Sequence, residues 1–234
     1  MQLLAGAPAL VAMAAAAATD VLVPVAGRRP GEPASVACTS VVVHNPTAAV
    51  TEVRLLPLFE GVESATVSPL VVSLAPGEVI RIDDVTKSVC KGRACGALLV
   101  VSAARATVCW APCGTAGASP STRDTALHAA VPVALAVGVG ERTDVPAGAA
   151  GCRLTIAEVA GRKARVQVVP HDAGGAPLAE AVECDVGAWS TATFRCAEWF
   201  PDLAVPVDHL TVTPMAGDGR LACLGDPSDA ADEP

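Results

Sequence analysis

The chain predicts an all-β fold, two tandem immunoglobulin-like antiparallel β-sandwiches, and three observations carry that reading. Short apolar runs rich in Val and Ile, such as 40–44 before Asn45-Pro46 and 67–74 before Ala75-Pro76-Gly77, are punctuated by Gly, Pro, Asn and Asp. Runs of that length and punctuation are strands. Helical periodicity is confined to 85–89 and 197–203, each a single turn. Cys38 and Cys109 are 71 residues apart, as are Cys152 and Cys223, so the two halves share a frame.

Along the chain, residues 1–18 carry no charge and consist mostly of Leu, Ala, Val and Met, with a small-residue run up to Ala18 before Thr19-Asp20. This is the chemistry of a signal peptide. A spanning helix needs about 20 strongly apolar residues, so no stable membrane span is expected after cleavage. The first module covers 19–113. It opens on Val23-Pro24-Val25, continues through a Cys38-led strand, and turns at Leu74-Ala75-Pro76-Gly77 before a strand over 79–82. Asp83-Asp84 then caps the turn 85–89, since Asp accepts from free N–H groups there. Two carboxylates alone do not make a calcium loop, which needs six to eight oxygens. A strand over 98–102 and a final strand bearing Cys109 close the module.

Residues 114–127 form a linker that opens on Gly-Thr-Ala-Gly-Ala-Ser-Pro-Ser-Thr. The second module covers 128–226 and repeats the plan. Val131-Pro132-Val133 comes first, then a Cys152 strand, a turn at Asp185-Val186-Gly187, a strand over 189–194, another over 210–213, and a last strand with Cys223. Gly138-Val139-Gly140 and Gly174-Gly175 lack the Lys-Ser/Thr and helix of a phosphate loop and are strand turns. Residues 227–234 are an acidic, disordered tail.

The net charge of −8 and pI near 4.9 exclude an electrostatic grip on nucleic acid or an anionic membrane. With 52% hydrophobic but 3% aromatic residues and no Tyr, the cores must be built from Val, Leu and Ala. Covalent staples are valuable in such small cores, and nine cysteines in an exported chain point to disulfides. The matched spacing predicts Cys38 with Cys109 and Cys152 with Cys223. Cys90 with Cys95 and Cys184 with Cys196 are the secondary pairs. Cys113 is then the odd thiol, available for a disulfide-linked dimer, for a free state, or to compete with Cys109 for Cys38. The metal alternative joins Cys90-x4-Cys95 to Cys109-x3-Cys113 in a tetrahedral zinc site. A nucleophilic Cys needs a base beside it, and the four histidines are too scattered to nominate one.

His44, His128, His171 and His209 show no metal spacing and read as strand-end or loop residues. Trp189, Phe194, Trp199 and Phe200 hold four of the six aromatics. They read as the second core, with an exposed platform for a sugar ring or a protein as the functional alternative. Trp110 is expected to pack on the Cys38–Cys109 bridge.

The Val-Pro-Val openings, His44-Asn45-Pro46, Leu74-Ala75-Pro76-Gly77-Glu78, Ile82-Asp83-Asp84-Val85 and His171-Asp172-Ala173-Gly174-Gly175 resemble exported bacterial proteins with tandem immunoglobulin-like modules. That group has no assigned activity. The resemblance implies the sandwich architecture and no catalytic residues. Taken together, the expectation is a secreted or periplasmic, non-enzymatic structural or interaction module with no cofactor and no metal. Its partner is a protein or glycan. The alternatives are a carbohydrate- or small-ligand-binding module built on the aromatic group, and a hydrolase of unrecognised signature.

Overall fold

A computed structural model describes residues 18–25, 38–64, 67–93, 95–113, 127–147, 153–203 and 205–225. The bulk of the segments 1–18 and 114–127, the tail 227–234 and Cys152 lie outside them. The chain is all-β. Its strands are β1 (Thr19–Pro24), β2 (Cys38–His44), β3 (Thr51–Glu60), β4 (Leu70–Leu74), β5 (Val79–Ile82), β6 (Cys95–Ser102) and β7 (Thr107–Cys113) in the first half. Two short strands follow, β8 (His128–Ala129) and β9 (Val131–Pro132). The second half has β10 (Thr143–Pro146), β11 (Arg153–Glu158), β12 (Ala164–His171), β13 (Val182–Val186), β14 (Ser190–Arg195), β15 (His209–Gly217) and β16 (Leu221–Gly225). Single helical turns, α1 (Val85–Ser88) and α2 (Cys196–Trp199), precede β6 and β15. Asp84 caps α1 as expected, its carboxylate accepting from Lys87 N at 3.0 Å.

The two halves follow one pairing scheme. In the first, β1 pairs β6, β2 pairs β5 and β7, and β3 pairs β4 and β6, all antiparallel. In the second, β10 pairs β15, β11 pairs β14 and β16, and β12 pairs β13 and β15. Numbered one to seven within each half, strands 4-3-6-1 make one sheet and 5-2-7 the other. The immunoglobulin constant arrangement is 1-2-5-4 against 3-6-7. Relative to it, strands one and four here join the sheet of strands three and six, and strand seven joins that of two and five. The Val131-Pro132 segment, expected to open the second half, instead adds β9 to the outer edge of β1, with Val21 opposite Pro132. The counterpart of β1 is β10.

Alternation explains the cores. In β3, Val53 and Leu55 point inward while Glu52 and Arg54 face water. β12 does the same with Ala164, Val166 and Val168 against Arg165. Each set joins the core of its own half. β6 is different, being apolar on both faces: Leu98 and Val100 enter the first core, while Ala97 and Leu99 enter a third cluster with Leu22, Leu58, Ala136, Ala157, Val159, Ala222 and Leu224. A strand covered on both sides reads as an unbroken apolar run. This third cluster is a seam contributed by both halves. Beside it β14 pairs parallel to the end of β3, with Ser190 opposite Phe59 and Thr191 opposite Glu60, so one eight-stranded sheet runs through the molecule. Gly96 permits that approach, because a Cβ there would meet Thr191 Oγ1 at 2.5 Å.

Two fully buried polar side chains hold the turns at corresponding strand ends, Asn45 after β2 and Glu158 closing β11. Asn45 Nδ2 donates to Ala49 O (2.8 Å), Leu74 O (3.1 Å) and Ala75 O (3.0 Å), and its Oδ1 accepts from Thr47 and Thr51. Glu158 works with the opposite polarity. Its Oε1 accepts from Ala160 N and Arg220 N, and its Oε2 from Gly161 N, Arg162 N and Trp189 N, all at 2.8–3.2 Å. Five oriented backbone dipoles thereby take the place of a counter-ion.

Candidate functional site

The cysteine frame does not join as its spacing predicts. Antiparallel register sets Cys38 opposite Cys113 and Cys109 opposite Val42, four residues further along. At about 3.3 Å per residue that is far beyond the 7 Å limit for a disulfide, so the Cys38–Cys109 pairing is corrected. The equal spacing of 71 also conceals a change of face. Val108 and Trp110 enter the first core, so Cys109 between them points away from it, whereas Cys223 packs into the second core. A one-residue slip in a strand exchanges its faces, and Val108 is the positional match of Cys223. Burial pushes the Cys223 thiol up to about 12.

Cys90, Cys95, Cys109, Cys184 and Cys223 are thiols, so neither the Cys90–Cys95 nor the Cys184–Cys196 bridge is formed in this structure. Burial, then the charge of Asp185, raises Cys184 to about 11. Cys90 and Cys95 are buried in the first core and hydrogen-bond to each other across the turn at Lys91 and Gly92. That bond first, and burial second, push the Cys95 thiol well up. Cys95 Sγ also donates to Ala97 O at 3.0 Å. With Cys109 on the far face of β7, the zinc alternative loses its convergence.

The aromatic residues form no common platform. Phe194 is 2% exposed and Phe200 8%, both in the second core, and Phe194 meets the half-buried Trp199 at 4.3 Å. Trp189 belongs to the seam instead. It takes a positive φ of 50°, its N–H is held by Glu158, and its indole lies on Gly161, where any Cβ would overlap it. Trp110 stacks on His128 at 4.7 Å, not on a disulfide.

Histidines that sequence reasoning left scattered are gathered by strand register. His171 ends β12 and His209 begins β15, and the two are direct cross-strand partners. Their rings stack with centroids 4.9 Å apart and an interplanar angle of 4°. His171 Nδ1 lies 3.1 Å from Gly175 O, and His209 Nδ1 lies 3.0 Å from Asp208 Oδ2. Next to them on β10, Asp144 Oδ1 accepts from Thr211 Oγ1 at 2.8 Å. That hydrogen bond chiefly, with Arg142, His209 and His171 adding to it, holds the Asp144 carboxyl below its usual range. Thirty-eight residues of sequence separate the two rings, so only the β12–β15 register could have found the pair. In the first half the matching positions are Leu58 and Ala97, buried in the seam. The second half leaves the same place polar and open. This is the candidate site.

No family model matches the chain, and no curated protein matches its sequence. Among solved structures, the PBSX exported protein XepA is similar at a TM-score of 0.28 and 10% identity, over 90% of this chain and 81% of that one. No helix among the described residues is long and apolar enough to cross a membrane.

Proposed function

We propose that the chain is an exported, non-catalytic protein made of two copies of one seven-stranded sandwich of immunoglobulin-like size, acting as a structural or protein-interaction module. The observation that carries this reading is the union of the halves. One pairing scheme occurs twice, and the two copies are welded by a continuous sheet and a shared apolar seam. Such a body keeps its two ends at fixed separation, as a spacer or adaptor must. The open side of the first half supports the interaction role. β4 and β5 are edge strands, and Leu70, Val71 and Val79 there are 40%, 48% and 58% exposed. Unpaired strand edges with apolar side chains are templates for a partner strand.

Export fits the start of β1 at Thr19, since cleavage after Ala18 leaves the whole strand in the mature chain. In an oxidising compartment Cys90 and Cys95 are the pair placed to close a disulfide. Each thiol loses its proton, and the two electrons pass to a disulfide oxidant. A six-residue loop of this kind stabilises by about 2 kcal/mol in the chain-entropy account.

Two measurements test the reading. Protein recovered from outside the cytoplasm should begin at Thr19, and recovery only of full-length cytoplasmic chain overturns export. A photoreactive residue at Val71 or Val79 should crosslink one defined polypeptide in the exporting cell, while the same probe at the exposed Val205 does not. No crosslink from either edge position, combined with turnover of ester or glycoside substrates by the purified chain, overturns the interaction role.

A further inference from the structure

We propose that His171 and His209 form a surface site for a divalent first-row transition-metal ion, bound through the two Nε2 atoms. As direct cross-strand partners the two side chains leave the sheet on one face, with Cβ atoms about 4.5–5.5 Å apart. The rings are already parallel, 4.9 Å apart and partly open to solvent.

Their second nitrogens settle the tautomer. Gly175 O and the Asp208 carboxylate only accept, so in the neutral rings both Nδ1 atoms carry the hydrogen and both Nε2 atoms present a lone pair. Metal-ligating histidines are held in this way, the far N–H given to a carbonyl or carboxylate that fixes the ring and strengthens the donor. One ring here uses each kind of partner. Among the described residues no hydrogen bond occupies either Nε2.

Imidazole donors select Zn²⁺, Cu²⁺ and Ni²⁺ over Mg²⁺ and Ca²⁺. Metal–nitrogen bonds of about 2.0–2.1 Å in tetrahedral geometry need the two donors roughly 3.4 Å apart. The rings therefore lean together at their tips on binding, with water completing the coordination. The Asp144 carboxylate, two residue pairs inward on β10 and held by Thr211, adds negative charge beside the site. The corresponding Leu58 and Ala97 are sealed into the seam, so the site is open only in the second half.

The test is titration of the full chain with Ni²⁺ at neutral pH, followed by paramagnetic broadening of the imidazole resonances. One equivalent should broaden His171 and His209 and leave His44 and His128 sharp. His171→Gln and His209→Gln should each weaken binding by more than roughly tenfold, and Asp208→Ala by roughly 10–100-fold through the lost orienting bond. Both histidine variants are expected to keep the parent circular dichroism, because the rings lie outside the core. Equal broadening of all four histidines, or parent-like affinity in either histidine variant, overturns the proposal. Since all the thiols are intact in these variants, retained binding would locate the metal on cysteine instead.

Discussion

Replacing Glu158 by Gln changes one oxygen to an amide nitrogen in a side chain that is fully buried. The carboxylate serves five backbone donors, two on Oε1 and three on Oε2. A glutamine retains one acceptor oxygen, so at least two donors face an NH₂ group that cannot accept. Each buried donor left without a partner costs about 1–3 kcal/mol, which sets the loss at about 2–6 kcal/mol. All five donors belong to turns at the periphery, where water reaches some of them, so the lower half of that range is expected. For a chain of this length each kcal/mol moves the midpoint by about 2–4 °C. Glu158→Gln should therefore melt about 4–16 °C below the parent, by circular dichroism, with an unchanged urea m-value. Glu183→Gln, on the exposed face of β13, serves as the control and should leave the midpoint in place. A Glu158→Gln midpoint within about 2 °C of the parent would refute the reasoning that these turns are held by the carboxylate.

Three further outcomes are expected. Cys223 and Cys184, raised to about 12 and about 11, should take iodoacetamide near pH 8 at least about 100-fold more slowly in the folded chain than in urea, since only thiolate reacts. Native labelling of Cys223 at the unfolded rate would contradict its placement in the core. Leu99→Glu buries a charge in the seam, where Leu99 is 4% exposed, and should split one calorimetric transition into two as the halves uncouple; a single, merely lowered transition argues against coupling through that cluster. Thr211→Val removes the main cause of the low Asp144 pKa and should raise it toward the ordinary value of about 3.9, read by carboxyl-carbon NMR. Because the folded value is the depressed one, the stability contributed by this bond is present above the unfolded pKa and disappears as pH falls through the folded one. The parent and variant should therefore converge in strong acid.

The strands and turns were legible because their causes are local. Alternation in β3, the Asp84 cap and the turn before Val79 each rest on a few neighbouring residues. The pairing of strands is non-local, and spacing along the chain does not determine it. Two equal intervals of 71 residues suggested matched cysteines, yet a sequence interval does not record which face of a strand a residue occupies. Cys109 and Cys223 sit on opposite faces of corresponding strands, and the true counterpart of Cys223 is an unremarked Val. The redistribution of strands one, four and seven between the sheets left no mark either, since edge and central strands of Val and Leu look alike. The parallel contact of β14 with β3 involves two residue pairs, Ser190 with Phe59 and Thr191 with Glu60, too few to impose a pattern. The histidine pair was invisible for the same reason: β12 and β15 are adjacent in space but 38 residues apart at the site.

The two halves differ in what they set on the outer face of the sheet built from their first, third, fourth and sixth strands. In the first half that face carries Leu22, Leu58, Ala97 and Leu99 and is covered by the second half. The corresponding positions of the second half are Asp144, His171, His209 and Thr211. Burying these under another copy would strip water from a carboxylate and two imidazoles with no partners supplied, a cost of several kcal/mol. The polar residues thus keep that face of the second half from being covered in the way the first half's face is. They also make that face a place for a small charged ligand, which is why the candidate site lies there and has no equivalent in the first half.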